Sequence, residues 1–195
     1  DSNISIDKNY SNLHIPEIKQ SINRLLPKNY IFFQFRYRFF IELKWTKEDI
    51  VKFLIFLKKS TGNVVFCSDI ENNEISNEYK KFFLENFSYI DLNKNIIQNK
   101  ESLKNVFYLK DLSGIDMFHI IKKSFISIAK EGIISHISFF HNVKCHNLFN
   151  FKINSKKDII HEKISYSEWC KGMNFSFSFL DSNIKKATKK IIRNI

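Results

Sequence analysis

The sequence predicts an α/β fold, a doubly wound, Rossmann-like parallel sheet forming one domain. Three observations carry this reading. Short, almost wholly apolar runs recur between residues 31 and 149, as strands buried on both faces should. Between them lie segments whose apolar residues repeat at helical spacing. With 195 residues, 44% of them hydrophobic and 21 of them Phe, the chain also has the material for one well-filled core. Strands alternating with helices imply βαβ units, and right-handed crossovers place the helices on both faces of the sheet.

The elements follow in order. Residues 1–29 are polar and irregular, apart from a short helix read between residues 16 and 26. They form a lead-in or linker, and the domain proper spans 30–195. Ile31-Phe32-Phe33-Gln34-Phe35 is the first strand. Thr46 then offers an N-cap, with Asp49 three residues on as a loose capping box. Ile50, Phe53, Leu54 and Leu57 supply the apolar stripe of a helix over 47–59. Gly62 breaks the chain before a second strand at 63–67. A helical pattern covers 71–86, a third strand 106–109, a short helix 115–123 and a fourth strand 125–129. A helix at 133–141 and a fifth strand at 143–149 follow. Residues 150–180 are less regular, with Phe175, Phe177 and Phe179 alternating, and 182–194 reads as a basic terminal helix.

Composition narrows the function classes. A net charge of +11 suits nucleic acid, an anionic membrane or a phosphorylated ligand. The lysines, however, are scattered as pairs such as Lys58-Lys59, Lys80-Lys81, Lys122-Lys123 and Lys156-Lys157, which is equally the pattern of a solvated surface. A nucleic-acid binder would cluster them on one face among stacking aromatics, so nucleic acid is not an expected partner. Cys67, Cys145 and Cys170 form no CxxC pair. Cys67 and Cys145 fall in strands and read as inert core thiols. His141 and His146 flank Cys145 without convergent ligands at zinc spacing, so no metal is expected. No apolar stretch is long enough to span a bilayer. The chain starts at Asp1 without Met and reads as a processed or trimmed piece of something longer.

In open parallel sheets ligands bind beyond the carboxyl ends of the strands, which directs attention to the loops after Phe35, Cys67, Leu109 and Ala129. The most informative is Ala129-Lys130-Glu131-Gly132-Ile133-Ile134-Ser135-His136, a strand, a glycine turn and a helix start. Free N–H groups and the positive dipole end of that helix suit a diphosphate. Ser135 and His136 could add donors there, and Glu131 could accept from sugar hydroxyls. The same residues also suit an ordinary strand–helix turn with a satisfied histidine. After the first strand, Arg36, Arg38 and Lys44 are candidates for phosphate oxygens. The competing reading is a strand running on through Ile41 with the arginines on its wet face. After the second strand, Asp69 and Glu71 could take ribose hydroxyls or simply cap a helix. No Ser-His-Asp order, Walker loop or GxGxxG is present.

Taken together these segments resemble the C-terminal domain of the bacterial family-nine, heptosyltransferase-like glycosyltransferases of two-domain GT-B architecture. The resemblance covers about residues 27–195. It rests on Pro27 to Gln34 with Lys44-Trp45, on Asp111-Leu112-Ser113-Gly114 with 117–121, and on Glu131 to His136 followed by 143–149. The chain departs from the family in having Glu131 for an aspartate, in placing its glycine one position early, and in displacing a lysine otherwise found before the tryptophan. The resemblance implies a donor-binding domain holding a nucleoside-diphosphate sugar as substrate, with no cofactor and no required metal. Its donor site would comprise Arg36, Arg38, Lys44, Asp69, Glu71, Glu131, Gly132, Ser135 and His136. It further implies an N-terminal acceptor-binding domain, on the same longer chain, that supplies the catalytic base. The implied reaction transfers sugar to a cell-surface glycan or lipid-linked acceptor, as in lipopolysaccharide biosynthesis. That places the chain in the bacterial cytoplasm or against the inner membrane. The alternative is a non-catalytic Rossmann-like binding or assembly module.

Overall fold

The computed structural model describes residues 20–69, 71–130, 132–150, 156–169, 171–172, 174–180 and 182–193. Helix α1 (Gln20–Leu25) leads into β1 (Ile31–Gln34), α2 (Tyr37–Glu42), α3 (Lys47–Thr61), β2 (Val64–Cys67) and α4 (Glu74–Asn86). A hairpin follows, β3 (Ser88–Asp91) and β4 (Ile96–Gln98), then β5 (Val106–Lys110), α5 (Gly114–Lys123), β6 (Ile126–Lys130) and α6 (Ile133–Phe140). The chain ends in β7 (Lys144–Asn150), α7 (Lys156–Trp169), β8 (Phe175–Leu180) and α8 (Ile184–Ile192).

The strands form one sheet ordered β4-β3-β5-β2-β1-β6-β7-β8. Every neighbouring pair is parallel except β3 with β4. Without the β3–β4 hairpin, the order β5-β2-β1-β6-β7-β8 is the 3-2-1-4-5-6 of the doubly wound dinucleotide folds. The α/β, Rossmann-like expectation is therefore the observed architecture. The chain moves outward from β1 through β2 to β5 and returns with β6 on the other side of β1. The carboxyl ends of β1 and β6 thus border the switch point, where open sheets form a crevice.

Alternation along each strand divides the core in two. Ile31 and Phe33 face α3, α4 and α8 through Phe53, Leu54, Phe83 and Ile191. Phe32 and Val65 face α1, α5 and α6 through Ile22, Ile120 and Ile134. The first side is an aromatic lattice: Phe33–Phe53 ring centroids lie 5.4 Å apart, Phe35–Phe83 5.0 Å and Phe66–Phe83 5.1 Å, all edge-to-face. Such pairs add about 0.5–1.5 kcal/mol each beyond their area burial. The expected capping box is present, with Thr46 Oγ1 accepting from Asp49 N at 3.2 Å and Asp49 Oδ2 accepting from Thr46 N at 3.0 Å. Cys67 and Cys145 are free and buried, and burial raises both thiols.

The observed elements settle one competing reading and differ from the expected ones at three places. The arginine segment is not a continued strand: β1 stops at Gln34 and Tyr37–Glu42 is helical. Helix α4 starts three residues later than read, because Asn73 rather than Asp69 or Glu71 caps it, accepting from Ser76 N at 2.9 Å. The β3–β4 hairpin lies between the helix and the third strand expected from the sequence, where no element is predicted. The irregular 150–180 segment carries α7 and the last parallel strand, β8. The lead-in is docked to the sheet through α1, whose Ile22 is buried. Its first 19 residues and Cys170 lie outside the described residues.

Candidate functional site

A cleft of about 250 Å³ opens at the carboxyl ends of β1, β2, β6 and β7. Its described walls are Arg36, Arg38, Phe39, Glu42, Asp69, Glu71, Lys130 and Asn150. Each follows or ends a strand or lies on α2, so the sheet order alone brings them together. Four predicted site residues, Arg36, Arg38, Asp69 and Glu71, share this cleft.

Their chemistry is set by their pairings. Asp69 is 8% exposed. Its Oδ2 accepts the Tyr37 N–H at 3.0 Å, and its Oδ1 accepts from Arg36 Nε at 3.3 Å. Asp69 thereby caps α2, whose own N-cap residue, Arg36, makes no side-chain cap bond. Burial raises the Asp69 carboxyl above its ordinary range, opposed by the Tyr37 N–H and by Arg36. Farther out, Arg38 pairs with Glu71 at 3.1 Å, and Glu71 also accepts from the Tyr37 hydroxyl at 2.9 Å and from Asn73 Nδ2 at 3.1 Å. Asn150 Nδ2 donates to Glu42 at 2.8 Å. The described walls hold three cations, Arg36, Arg38 and Lys130, against three carboxylates, Glu42, Asp69 and Glu71. The two arginines are held by carboxylates and not left open.

The other predicted residues sit elsewhere. Glu131 lies outside the described residues. Gly132 is the N-cap of α6, at φ +140°, ψ −148°, a backbone region that only glycine adopts readily, with open space where a Cβ would be. As a glycine, this N-cap residue brings no side chain of its own to the helix start. Ser135 is buried, and its hydroxyl donates to Asn147 Oδ1 at 2.7 Å, so it ties α6 to β7 instead of lining the cleft. His136 is exposed on α6. Lys44, at φ +59°, is exposed just before the buried Trp45, beyond the far end of α2.

A second cavity of about 250 Å³ lies at the ends of β2 and β5, and Asp69 belongs to both walls. It is lined by Ser68, Lys80, Tyr108, Lys110 and Asp111 among others. Ser68 Oγ and the Tyr108 hydroxyl lie 2.8 Å apart. Lys110 pairs with the buried Asp91 at 2.8 Å. Residue-by-residue reading missed Lys130, Lys110 and Asp111, although they directly follow Ala129 and Leu109, the strand ends singled out in advance. Among the described residues no group of three or more His, Cys, Asp or Glu could hold a metal ion. No helix of the described residues is long and apolar enough to cross a membrane.

No protein-family model matches the sequence, and no curated protein matches it. Solved structures similar in part include two enzymes acting on nucleotide sugars by name. One is a putative UDP-N-acetylglucosamine 2-epimerase from Listeria monocytogenes, with TM-score 0.45 and 10% identity over 91% of this chain and 39% of that one. The other is a UDP-GlcNAc 2-epimerase from Neisseria meningitidis bound to UDP-GlcNAc, with TM-score 0.43 and 14% identity over 91% of this chain and 47% of that one. The chain spans less than half the length of either. At this level of likeness the comparison adds nothing to what the sheet order shows.

Proposed function

We propose that this domain binds the donor of a GT-B-type glycosyltransferase, a nucleoside-diphosphate sugar, with the diphosphate in the β1/β6 crevice. The observation that carries the reading is the convergence of Arg36, Arg38 and Lys130 at the switch point, ahead of the glycine-led start of α6. Roles divide by burial. Asp69 is an anchor: it fixes Arg36 and the first turn of α2. Arg38 and Glu71 are the exchangeable pair, since an ion pair this exposed is screened by solvent and holds its partners only weakly. A diphosphate takes Arg38 from Glu71 at little cost and frees that carboxylate for ribose or sugar hydroxyls. The α6 N–H groups and His136 complete the anion site, and the adjoining cavity at Ser68 and Tyr108 is placed for the nucleoside.

In sugar transfer these groups would stabilise the charge developing on the departing diphosphate. The catalytic base and the acceptor site belong to a further, N-terminal domain of a longer chain. Titration calorimetry with a panel of nucleoside diphosphates tests the proposal. Binding of at least one of them, weakened by salt, supports it. Failure of every member of the panel to bind would leave the non-catalytic binding or assembly module as the better reading, which the mutual pairing of arginines and carboxylates favours.

A further inference from the structure

The edge of the sheet opposite the crevice, where the strands begin, gathers positive charge and exposed aromatics that the donor reading does not use. Each βαβ helix runs back against the strands, so α3 and α5 end at this edge. Each carries a basic pair in its last turn, Lys58-Lys59 and Lys122-Lys123. Hydrogen bonds fix their surroundings. Gly62 N, just past α3, donates to Lys58 O, and Asn63 Nδ2 donates to the carbonyls of Lys28 at 3.0 Å and Asn29 at 3.1 Å. Phe125 N donates to Tyr30 O at 2.9 Å, and the register sets Ile126 beside Lys144. Lys28, both pairs, Phe125 and Lys144 therefore follow one another along a single edge.

Cations at helix C-termini complement the macrodipole, but that does not account for the whole patch. Lys28 and Lys144 lie at strand starts and end no helix. Phe125 is 56% exposed, in the loop directly after Lys122-Lys123, and Phe139, near the end of α6 at the same edge, is 40% exposed. Among the described residues, the carboxylates in elements that lead into the strand starts include Glu85, Glu101 and Glu168. They belong to elements preceding β3, β5 and β8, toward the sheet's flanks. No carboxylate among the described residues pairs with Lys28, Lys58, Lys59 or Lys122.

We propose that this edge docks on an anionic phospholipid bilayer: lysines 28, 58, 59, 122, 123 and 144 meet the headgroups, and Phe125 and Phe139 insert at the interface. Basic residues near a charged surface act additively within a Debye length, and aromatic rings settle at headgroup depth. The β1/β6 crevice would then open away from the membrane. The inference does not depend on what the crevice binds.

The test is co-sedimentation of the whole chain with phosphatidylcholine vesicles, alone or mixed with phosphatidylglycerol. Binding to the mixed vesicles alone, lost at high salt, is the expected result. Each lysine removed should weaken binding about fivefold, so Lys28→Gln with Lys58→Gln and Lys59→Gln should cost about a hundredfold. Phe125→Ser, at an exposed position, should weaken binding to the mixed vesicles while thermal melting stays near wild type. Equal binding to both kinds of vesicle, no binding to either, or wild-type binding by the triple-lysine variant overturns the proposal. So does binding of a single-stranded RNA oligonucleotide without vesicle binding, which would identify the edge as a nucleic-acid surface.

Discussion

Arg36 and Arg38 have the same side chain two positions apart, yet burial of their partners separates their roles. Asp69 is 8% exposed and leans on Arg36. Arg36→Ala would leave that carboxylate with the Tyr37 N–H and without its cation. Its stability cost is therefore expected at about 1–3 kcal/mol, a clear fall in melting temperature alongside any loss of ligand. Arg38, whose side chain is 70% exposed against a Glu71 that is 37% exposed, carries little of the fold. Arg38→Ala should leave melting unchanged and weaken nucleoside-diphosphate binding about ten- to a hundredfold by calorimetry, the worth of one charge-assisted hydrogen bond. His136, also exposed, should behave like Arg38. If His136→Ala leaves affinity untouched, the phosphates do not reach α6 and that histidine leaves the site. None of these distinctions is legible in the sequence. Arg36-Tyr37-Arg38 announces two cations, and only the fold reveals that Tyr37 stands between them as the acceptor and donor linking Arg38 to Glu71.

At the scale of elements, legibility followed how local the signal was. Helix α3 was readable because its start is written into four residues, Thr46 to Asp49, and its stripe into Ile50, Phe53, Leu54 and Leu57. Helix α5 carries the same device at Ser113, whose Oγ accepts from Asp116 N at 3.1 Å. Ser113→Ala should cost about 1 kcal/mol, read as a lowered denaturation midpoint with unchanged slope, because only the cap is lost. An unaltered midpoint would mean that packing against α6 alone sets this helix start. Elements with non-local causes were not readable. The β3–β4 hairpin is short, and β4 is exposed throughout, so no apolar run marks it. Helix α7 leaves Ile160 and Ile164 more than half exposed and shows no stripe to read. Strand β8 alternates Phe with Ser, which suggests a sheet with one wet face. It is instead the last parallel strand, and its serines at 176 and 178 serve His146 on β7.

For the molecule as a whole, that serine pairing predicts its response to acid. His146 is wholly buried, with Nδ1 2.7 Å from Ser176 Oγ and Nε2 3.1 Å from Ser178 Oγ. Burial, with Lys144 nearby, pushes its imidazole down to about 4, whereas in the unfolded chain it titrates near 6.5. Below 6.5 the unfolded chain takes up a proton that the folded one refuses. Stability contributed by the neutral ring is thus complete above pH 6.5 and drains away as pH falls toward 4. A shift of this size corresponds to about 3 kcal/mol, a large part of a small domain's reserve of about 5–15 kcal/mol. His141, also held down by burial, drains in the same direction. Asp91, held down by its bond to Lys110, adds a loss at still lower pH. Asp69 opposes them, because its raised carboxyl takes up a proton in the folded state first. Denaturant unfolding measured from pH 7 to pH 4 should therefore show falling stability. His146→Gln keeps a hydrogen-bonding group between β7 and β8 but cannot titrate. It should be less stable than wild type at pH 7 and lose less between pH 7 and pH 4. Parallel curves for the two proteins would show that β8 is held to the sheet without any dependence on the charge of His146, and that acid acts on the fold elsewhere.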